Sequence, residues 1–172
     1  MESKTKLLGH PVHPMLVVFP LGLLATAAIF DVIALSSRNP FWFQLSFWMI
    51  AAGIIGGLLA AVFGLVDWLA IPANTRASKI GMWHGLGNLV VVILFFLSWF
   101  LRRPVIDDPP VAALVLSFSA VLIALITGWL GGELVDRLGV GVDDGAHLNA
   151  PSSLSGRPTS EDKNDPGLRR VA

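Results

Sequence analysis

Four long apolar stretches dominate the sequence, and a short polar segment that contains proline separates each one from the next. They cover residues 15–37, 41–71, 80–101 and 111–138. About 20 apolar residues are what an α-helix needs to cross the hydrocarbon core of a bilayer. Because every backbone polar group must be satisfied inside lipid, segments of this kind fold as helices. The sequence therefore predicts an all-α fold, a four-span transmembrane helical bundle with short loops.

The composition fits one membrane domain and excludes several other classes of protein. Of the 172 residues, 54% are hydrophobic and 14% are charged, and the formal net charge is +0. The chain has no long basic run, so we expect the lipid bilayer and not nucleic acid as its partner. Because the sequence has no cysteine, disulfides, thiolate metal sites and covalent c-type haem are excluded. Any metal or cofactor must be held by histidine, carboxylate, amide or backbone groups.

The chain divides into three parts by composition. Residues 1–14 form an N-terminal lead-in, residues 15–141 the transmembrane domain, and residues 142–172 a polar tail. The tail is rich in Gly, Ser, Pro, Asp and Asn, so we predict that it is disordered. Lysine and arginine near the spans are more numerous on the side shared by the two termini. By the positive-inside rule, both termini are predicted to be cytoplasmic, in a bacterial inner membrane.

Two histidines, each followed by a proline, stand directly before the first span, in Gly9-His10-Pro11-Val12-His13-Pro14. Each proline fixes its own φ and disfavours the helical conformation for the residue before it. We therefore expect His10 and His13 to lie on a stiff, non-helical segment. Pro14 suits the first helical position, where its missing N–H matters least.

Helix direction places most of the polar groups that border the spans at one membrane face. Spans one and three begin at that face, and spans two and four end there. Ionisable groups within spans are costly and usually face a bundle interior or a wet cavity. We expect the opposite face to carry mainly capping residues and loop arginines, with Asp31 at the interface or paired with Arg38. The groups that converge at the first face are His10, His13, Asp67, His84, Asn88 and Glu133.

Three chemistries fit this convergence of side chains. Histidines from different helices can be axial ligands of a b-type haem, with glycines leaving room for the macrocycle. Histidine, aspartate and glutamate can also hold a divalent metal such as Zn²⁺, Fe²⁺ or Mn²⁺. Histidine titrates near neutrality, so a proton or ion relay is a third chemistry. The alternative without any ligand is a polar cluster that only fastens helix ends together.

His13 and His84 are the principal candidate ligands, because helix polarity puts both at similar depth on the same face. His10 lies farther out and is an alternative ligand. Asp67 ends the second span near that depth, where we expect it to accept an imidazole N–H and to orient the ring. Asn88 and Glu133 are further candidates for such support, and no residue is assigned a catalytic role. The candidate metal ligands are His10, His13, His84 and Asp67.

These residues also carry a family resemblance. In chain order the motifs are the Gly-His-Pro-Val-His-Pro segment, Phe19-Pro20-Leu21-Gly22, Gly64-Leu65-Val66-Asp67-Trp68, His84 with Asn88, Gly131-Gly132-Glu133-Leu134-Val135 and Gly139-Val140-Gly141-Val142. The combination resembles the DUF2231 family of small bacterial membrane proteins over residues 8–142. Some relatives are joined to Rieske-type iron–sulfur domains, so the resemblance implies membrane redox chemistry and Rieske-type redox partners. Many relatives have a histidine where this chain has Leu138, and if that histidine is a ligand in them, the resemblance implies that this chain either binds less or binds differently.

The leading expectation is a membrane protein with a histidine site for haem b or a redox metal, which serves electron transfer and not turnover of a substrate. The first alternative is a non-catalytic membrane anchor or assembly module. An ion or proton transporter is the third reading, although the sequence shows no evident inverted repeat with broken helices.

Overall fold

The computed structural model describes residues 1–161, and four long helices make up most of it. Each helix is long and apolar enough to cross a membrane. The predicted all-α, four-span bundle is therefore confirmed, with helix ends close to those expected. The helices are α1 (Val12–Ser37), α2 (Phe41–Leu69), α3 (Arg76–Arg102) and α4 (Val111–Gly132), and a π-helical turn at Glu133–Arg137 continues α4.

Helix α1 begins earlier than predicted, so His13 is helical. Pro11 has extended φ and ψ of −60° and 128° and precedes the helix, whose first residue is Val12. The expectation of a non-helical His13, with Pro14 as the first helical residue, is wrong. The structure tolerates Pro14 inside the first turn because the first four N–H groups of a helix have no intrahelical partner.

A short antiparallel hairpin precedes α1, with strands β1 (Lys6–Leu7) and β2 (His10–Pro11). Leu8 and Gly9 connect the strands with φ of 52° and 85°. Positive φ at both central positions is typical of the two-residue turns that match the twist of a hairpin. His10 is therefore held in a strand, and its side chain is exposed.

The bundle consists of two helical hairpins. Helix α1 packs along α2 and α3 along α4, and the two hairpins meet mainly through α2 and α3. Close approach in the first hairpin depends on Pro20, which is buried inside α1. Its ring lies against Gly56 and Gly57, and a Cβ added at Gly56 would be 3.3 Å from Pro20 Cδ. Small residues at such contacts allow helix backbones to approach closely in lipid.

An apolar core fills the middle of the bundle, while large apolar side chains also cover its outer surface. Outward-facing residues such as Ile55 and Leu125 are more than half exposed, as a lipid-facing surface requires. The buried core residues are Leu24, Ala27, Ile50, Ile54, Val91, Phe95 and Ala120.

The N-terminal hairpin, the α2–α3 loop and the end of α4 lie at one end of the bundle, which we term the histidine end. Lys6 Nζ contacts Asp143 Oδ1 at 2.5 Å, and the Gly141 N–H donates to the Met1 carbonyl at 2.9 Å. The start of the chain and the segment after α4 therefore share one side, as four spans require. The loops between α1 and α2 and between α3 and α4 lie at the opposite end.

Beyond the π-helical turn the chain is irregular, apart from a 3₁₀ turn at Ser153–Ser155. This segment contacts the N-terminal residues in ways that the sequence did not predict. The Asp144 N–H donates to Glu2 Oε1 at 3.3 Å, and Ser153 Oγ lies 3.3 Å from His10 Nε2. The predicted disordered tail also includes residues 162–172, which lie outside the described part of the chain.

Candidate functional site

His13 lies in the first turn of α1 and faces α2. Its Nδ1 is 2.8 Å from the Ala60 carbonyl oxygen. The ring packs on Gly64, where an added Cβ would be 2.8 Å from Cε1. Because a carbonyl oxygen only accepts hydrogen bonds, Nδ1 of the neutral ring carries the proton. The Nε2 atom then keeps its lone pair, which is the form in which imidazole binds a metal.

His84 has the same environment in the second hairpin. Its Nδ1 is 2.8 Å from the Thr127 carbonyl oxygen. A Cβ added at Gly131 would be 3.1 Å from His84 Cε1. In each hairpin the glycine follows the carbonyl residue by one helical turn, so both lie on the helix face that meets the imidazole. These glycines accommodate the imidazoles themselves, whereas we expected glycines to leave room for a macrocycle.

The two imidazoles meet across the interface between the hairpins. Their ring centroids are 6.3 Å apart, and the ring planes are at 89°. Metal–nitrogen bonds of about 2 Å place two imidazoles that share one metal atom with their centroids roughly 5–6.5 Å apart. The structure therefore brings His13 and His84 together at a separation that one metal centre can span.

Asn88 connects His84 to α4. Its amide nitrogen donates to the His84 carbonyl at 2.9 Å, and Thr127 Oγ1 donates to Asn88 Oδ1 at 3.0 Å. The same nitrogen lies 3.5 Å from Nδ1 and 3.2 Å from Nε2 of the imidazole. An atom on the lone-pair axis of Nε2 would be much farther from Nδ1, so Asn88 stands beside the ring and off that axis. Asn88 thus supports the helix pair that holds His84, as a neighbour and not as a competitor for Nε2.

Asp67 fastens the N-terminal segment instead of an imidazole. Its two carboxylate oxygens accept from Ser3 Oγ at 2.8 and 2.9 Å, and one of them accepts from the Lys4 N–H at 2.9 Å. We expected Asp67 to orient a histidine. In the structure, backbone carbonyls orient the imidazoles instead, because the Nδ1 atoms of His13 and His84 each contact a carbonyl oxygen.

The other sequence candidates also have partners of their own. Glu133 Oε1 contacts Arg76 Nη2 at 2.5 Å, which links the end of α4 to the start of α3. His10 is exposed beside Ser153, and Leu138 is half-buried just after the π-helical turn. Within residues 1–161, no group of three or more His, Cys, Asp or Glu side chains could hold a metal ion. Of the candidate ligands, the structure brings together His13 and His84.

Charged groups tie the N-terminal hairpin to the chain beyond α4. Lys6 Nζ lies 2.8 Å from Glu2 Oε2, in addition to its contact with Asp143. The hydrogen bonds that Lys6 donates to Asp143 and then to Glu2 raise the pKa of Lys6. The hydrogen bond from Lys6, followed by the Asp144 N–H, lowers the pKa of Glu2. Both shifts favour the charged forms, so this contact is an ion pair at neutral pH.

A buried ion pair that the sequence did not predict lies toward the opposite end of the bundle. Arg102 Nη1 and Nη2 donate to Asp31 Oδ1 and Oδ2 at 2.7 and 2.6 Å, and both side chains are 0% exposed. Our expectation that Asp31 lies at the interface or pairs with Arg38 is wrong. Arg38 is exposed and ends α1 in the left-handed region, whereas Asp31 faces the bundle interior.

Three serines complete this ion-pair site. The guanidinium of Arg102 donates to Ser98 Oγ at 3.2 Å, to Ser46 Oγ at 3.3 Å and to Ser117 Oγ at 3.1 Å. Together with the two bonds to Asp31, these contacts give all five guanidinium N–H groups an acceptor. The expectation that the opposite face has mainly capping residues and loop arginines is therefore also wrong.

Comparison with known proteins locates the chain in a family. A family model described as "Predicted membrane protein (DUF2231)" matches residues 9–144. No curated protein and no solved structure matches the chain. The matched region begins in the N-terminal hairpin and includes all four helices, both imidazoles and the buried ion pair. The chain therefore belongs to the DUF2231 family of predicted membrane proteins.

Proposed function

We propose that His13 and His84 hold a redox-active metal centre through their Nε2 atoms, and that the protein serves electron transfer at one membrane face. The observation that carries the proposal is the matched pair of Nδ1 contacts to backbone carbonyls. Each contact fixes the tautomer in which Nε2 is a ligand, and the two rings are 6.3 Å apart.

A redox-active metal ion held by the two Nε2 atoms is the form of metal centre that we favour, because the imidazoles occupy the space beside Gly64 and Gly131 that was expected to admit a macrocycle. A b-type haem is the second form, and His13 and His84 would hold it, since paired histidines on different helices commonly bind haem iron. When bound, such a group supplies one-electron exchange. The role of this chain is to present two neutral imidazoles from opposite hairpins. Each imidazole is held by a main-chain carbonyl and packs against a glycine.

We further propose that the histidine end faces the cytoplasm and that the membrane is the inner membrane of a bacterium. Lys4, Lys6, Arg76, Lys79 and Arg137 belong to this end. At the opposite end, Arg102 is buried in the ion pair, which leaves Arg38 and Arg103 in the loops. The asymmetry of loop charges is therefore larger than the sequence alone indicated, and it favours cytoplasmic termini. Rieske-type proteins are the redox partners that the family resemblance suggests.

A membrane anchor or assembly module is a second candidate function, because the same hydrogen bonds favour it. His13 joins α1 to α2 and His84 joins α3 to α4, which is a structural role that needs no ligand. A proton or ion relay is less favoured, since the apolar cluster around Phe95 fills the bundle between its two polar sites.

Absorption spectra of the purified protein, oxidised and then reduced with dithionite, test the proposal. We expect stoichiometric metal in the wild type by elemental analysis, or haem bands if the centre is a haem. His84→Ala and His13→Ala should each abolish them, whereas His10→Ala, which changes an exposed imidazole, should not. A metal-free wild type that folds stably would support the anchor function instead.

A further inference from the structure

The two helical hairpins have equivalent residues at equivalent places. His84 follows His13 by 71 residues, and Arg102 follows Asp31 by the same 71. In the second helix of each hairpin, the interval from Ala60 to Thr127 equals the interval from Gly64 to Gly131. Helices α1 and α3 cross the membrane in the same direction, so a pseudo-twofold axis along the membrane normal relates the hairpins. Parallel repeats of this kind differ from inverted repeats, whose axis lies in the membrane plane.

The same face of α1 carries both His13 and Asp31, and the same face of α3 carries both His84 and Arg102. The interval between the two side chains is identical in the two helices. At about 3.6 residues per turn it corresponds to about five turns and a rise of about 27 Å. Each pair meets its equivalent across the interface between the hairpins, His13 with His84 and Asp31 with Arg102. The interface therefore has a polar contact near each membrane surface and an apolar core between them.

The two polar contacts differ in symmetry. The histidine contact joins two identical side chains. It could therefore form between a first and a second hairpin, or between two hairpins of the same kind. The contact of Asp31 with Arg102 joins opposite charges, so it requires one hairpin of each kind. Pairing of two first hairpins from separate copies would oppose two Asp31 carboxylates. Pairing of two second hairpins would oppose two Arg102 guanidinium groups. Like charges buried against each other in lipid are strongly unfavourable.

We propose that the Asp31–Arg102 pair is the element that decides which hairpins associate. It allows the first hairpin to pair with a second hairpin and excludes the pairing of like hairpins from two copies of the chain. The buried contact around Asp31 is therefore the part of the interface that a second hairpin must match with a guanidinium, and in the structure this hairpin belongs to the same chain. Buried polar groups are best known for such a role in partner and register selection.

The serines around Arg102 add to this selection of hairpin partners. Ser46 and Ser117 come from the second helix of each hairpin, and Ser98 comes from α3, so Arg102 has acceptors on both sides of the interface. A neutral residue in place of Asp31 would leave guanidinium donors without acceptors, which is costly in a buried site. The inference is independent of any metal or haem at the histidine end.

Full-length chains with two different affinity tags test the proposal. Asp31→Arg and Arg102→Asp each oppose like charges within one chain, so each variant alone should accumulate poorly. When the two variants are expressed together, the first hairpin of each matches the second hairpin of the other. We expect capture on one tag to recover at least about tenfold more of the other tag than a wild-type pair does, because like-charge contacts cost several kcal/mol.

The charge-swapped chain Asp31→Arg/Arg102→Asp is the matched control, because it restores opposite charges within one chain. It should accumulate like the wild type and show only the wild-type level of co-capture. The uncharged chain Asp31→Leu/Arg102→Met should fold yet exchange hairpins between copies. The proposal is overturned if the uncharged chain shows no more co-capture than the wild type, or if the complementary variants do not rescue each other while the swapped chain is stable.

Discussion

At the scale of single residues, main-chain carbonyls and not carboxylates orient the two imidazoles. Carboxylate partners would have added negative charge beside the two imidazoles, whereas a carbonyl fixes the tautomer and adds no charge. The glycines one turn after Ala60 and Thr127 are part of this arrangement, because each ring occupies the space of a missing side chain. The histidine positions therefore depend on the absence of a Cβ at Gly64 and Gly131.

Gly64→Ala should destabilise the protein by about 1–3 kcal/mol, the usual effect of overpacking a filled site. The new Cβ would lie 2.8 Å from His13 Cε1 and would push the ring away from Ala60. The matched control is Gly128→Ala, because a Cβ at this helical position meets nothing within 4 Å. We expect the control to be neutral or stabilised by about 0.5–1 kcal/mol. Thermal unfolding in detergent measures both, and equal melting temperatures would contradict the packing argument.

Arg102→Ala should destabilise the bundle by about 3–5 kcal/mol, since it leaves the buried Asp31 carboxylate without its partner. The neighbouring Arg103→Ala is the control. Arg103 is exposed and lies 5.3 Å from the centroid of the Trp99 ring, a cation–π contact worth about 0.5–1 kcal/mol at an exposed site. Denaturant unfolding of both variants gives the comparison. Similar losses of unfolding free energy in the two variants would show that Arg102 is hydrated and not buried.

At the scale of elements, the N-terminal hairpin is held at two separate points. Asp67 binds residues 3–5, and Lys6 binds Glu2 and Asp143. The backbone of Val12 adds a hydrogen bond from its N–H to the Thr5 carbonyl at 2.9 Å. The start of α1, and with it the position of His13, therefore depends on contacts with α2 and with the segment after α4.

Asp67→Asn should release the first residues of the chain without unfolding the helices. The asparagine loses the negative charge and keeps a single acceptor oxygen, whereas the carboxylate uses both of its oxygens. We expect faster tryptic cleavage after Lys4 and Lys6, with helical circular dichroism unchanged. Asp136→Asn is the control, since Asp136 is exposed near the same end. Equal cleavage rates in the two variants would show that Asp67 does not restrain the segment.

The contact between Lys6 and Glu2 predicts a pH dependence for the hairpin. The pKa of Glu2 lies below its ordinary value of 4.5, so its stabilisation is full above pH 4.5 and is lost as the pH falls through the lowered pKa. The pKa of Lys6 lies above 10.5, so its share is lost only as the pH rises through that raised value. Amide hydrogen exchange at Gly141, corrected for intrinsic rates, should therefore be faster at a pH below the lowered pKa of Glu2 than at pH 7. A flat profile would contradict this.

Hydropathy was sufficient to predict the four helices, and helix direction was sufficient to predict that His13 and His84 share an end. Hydropathy could not give the start of α1, because that depends on a hairpin closed by hydrogen bonds to distant residues. The partners of Asp67 and Asp31 were missed because span hydropathy gives depth but not rotation about the helix axis. The repeated intervals, from His13 to Asp31 and again from His84 to Arg102, were a visible signal that would have paired Asp31 with Arg102.

At the scale of the whole molecule, two equivalent hairpins cross the membrane side by side, and both ends of the described chain return to one side. Reporter fusions at the N-terminus and after Gly139 should therefore give the same location, which we expect to be the cytoplasm. The control is a fusion inside the α3–α4 loop, after Val105, which should report the opposite side. Opposite locations for the first two fusions would be incompatible with four spans.

The apolar core that separates the two polar contacts has a further consequence for energy conversion. The membrane potential acts on a charge only in proportion to the distance that the charge travels across the bilayer, about 2.3 kcal/mol per charge for roughly 100 mV over the full width. A redox centre confined to the histidine end would receive and release each electron at the same surface. Electron transfer through this centre would therefore move no charge across the membrane. Its midpoint potential would not respond to the voltage across the membrane.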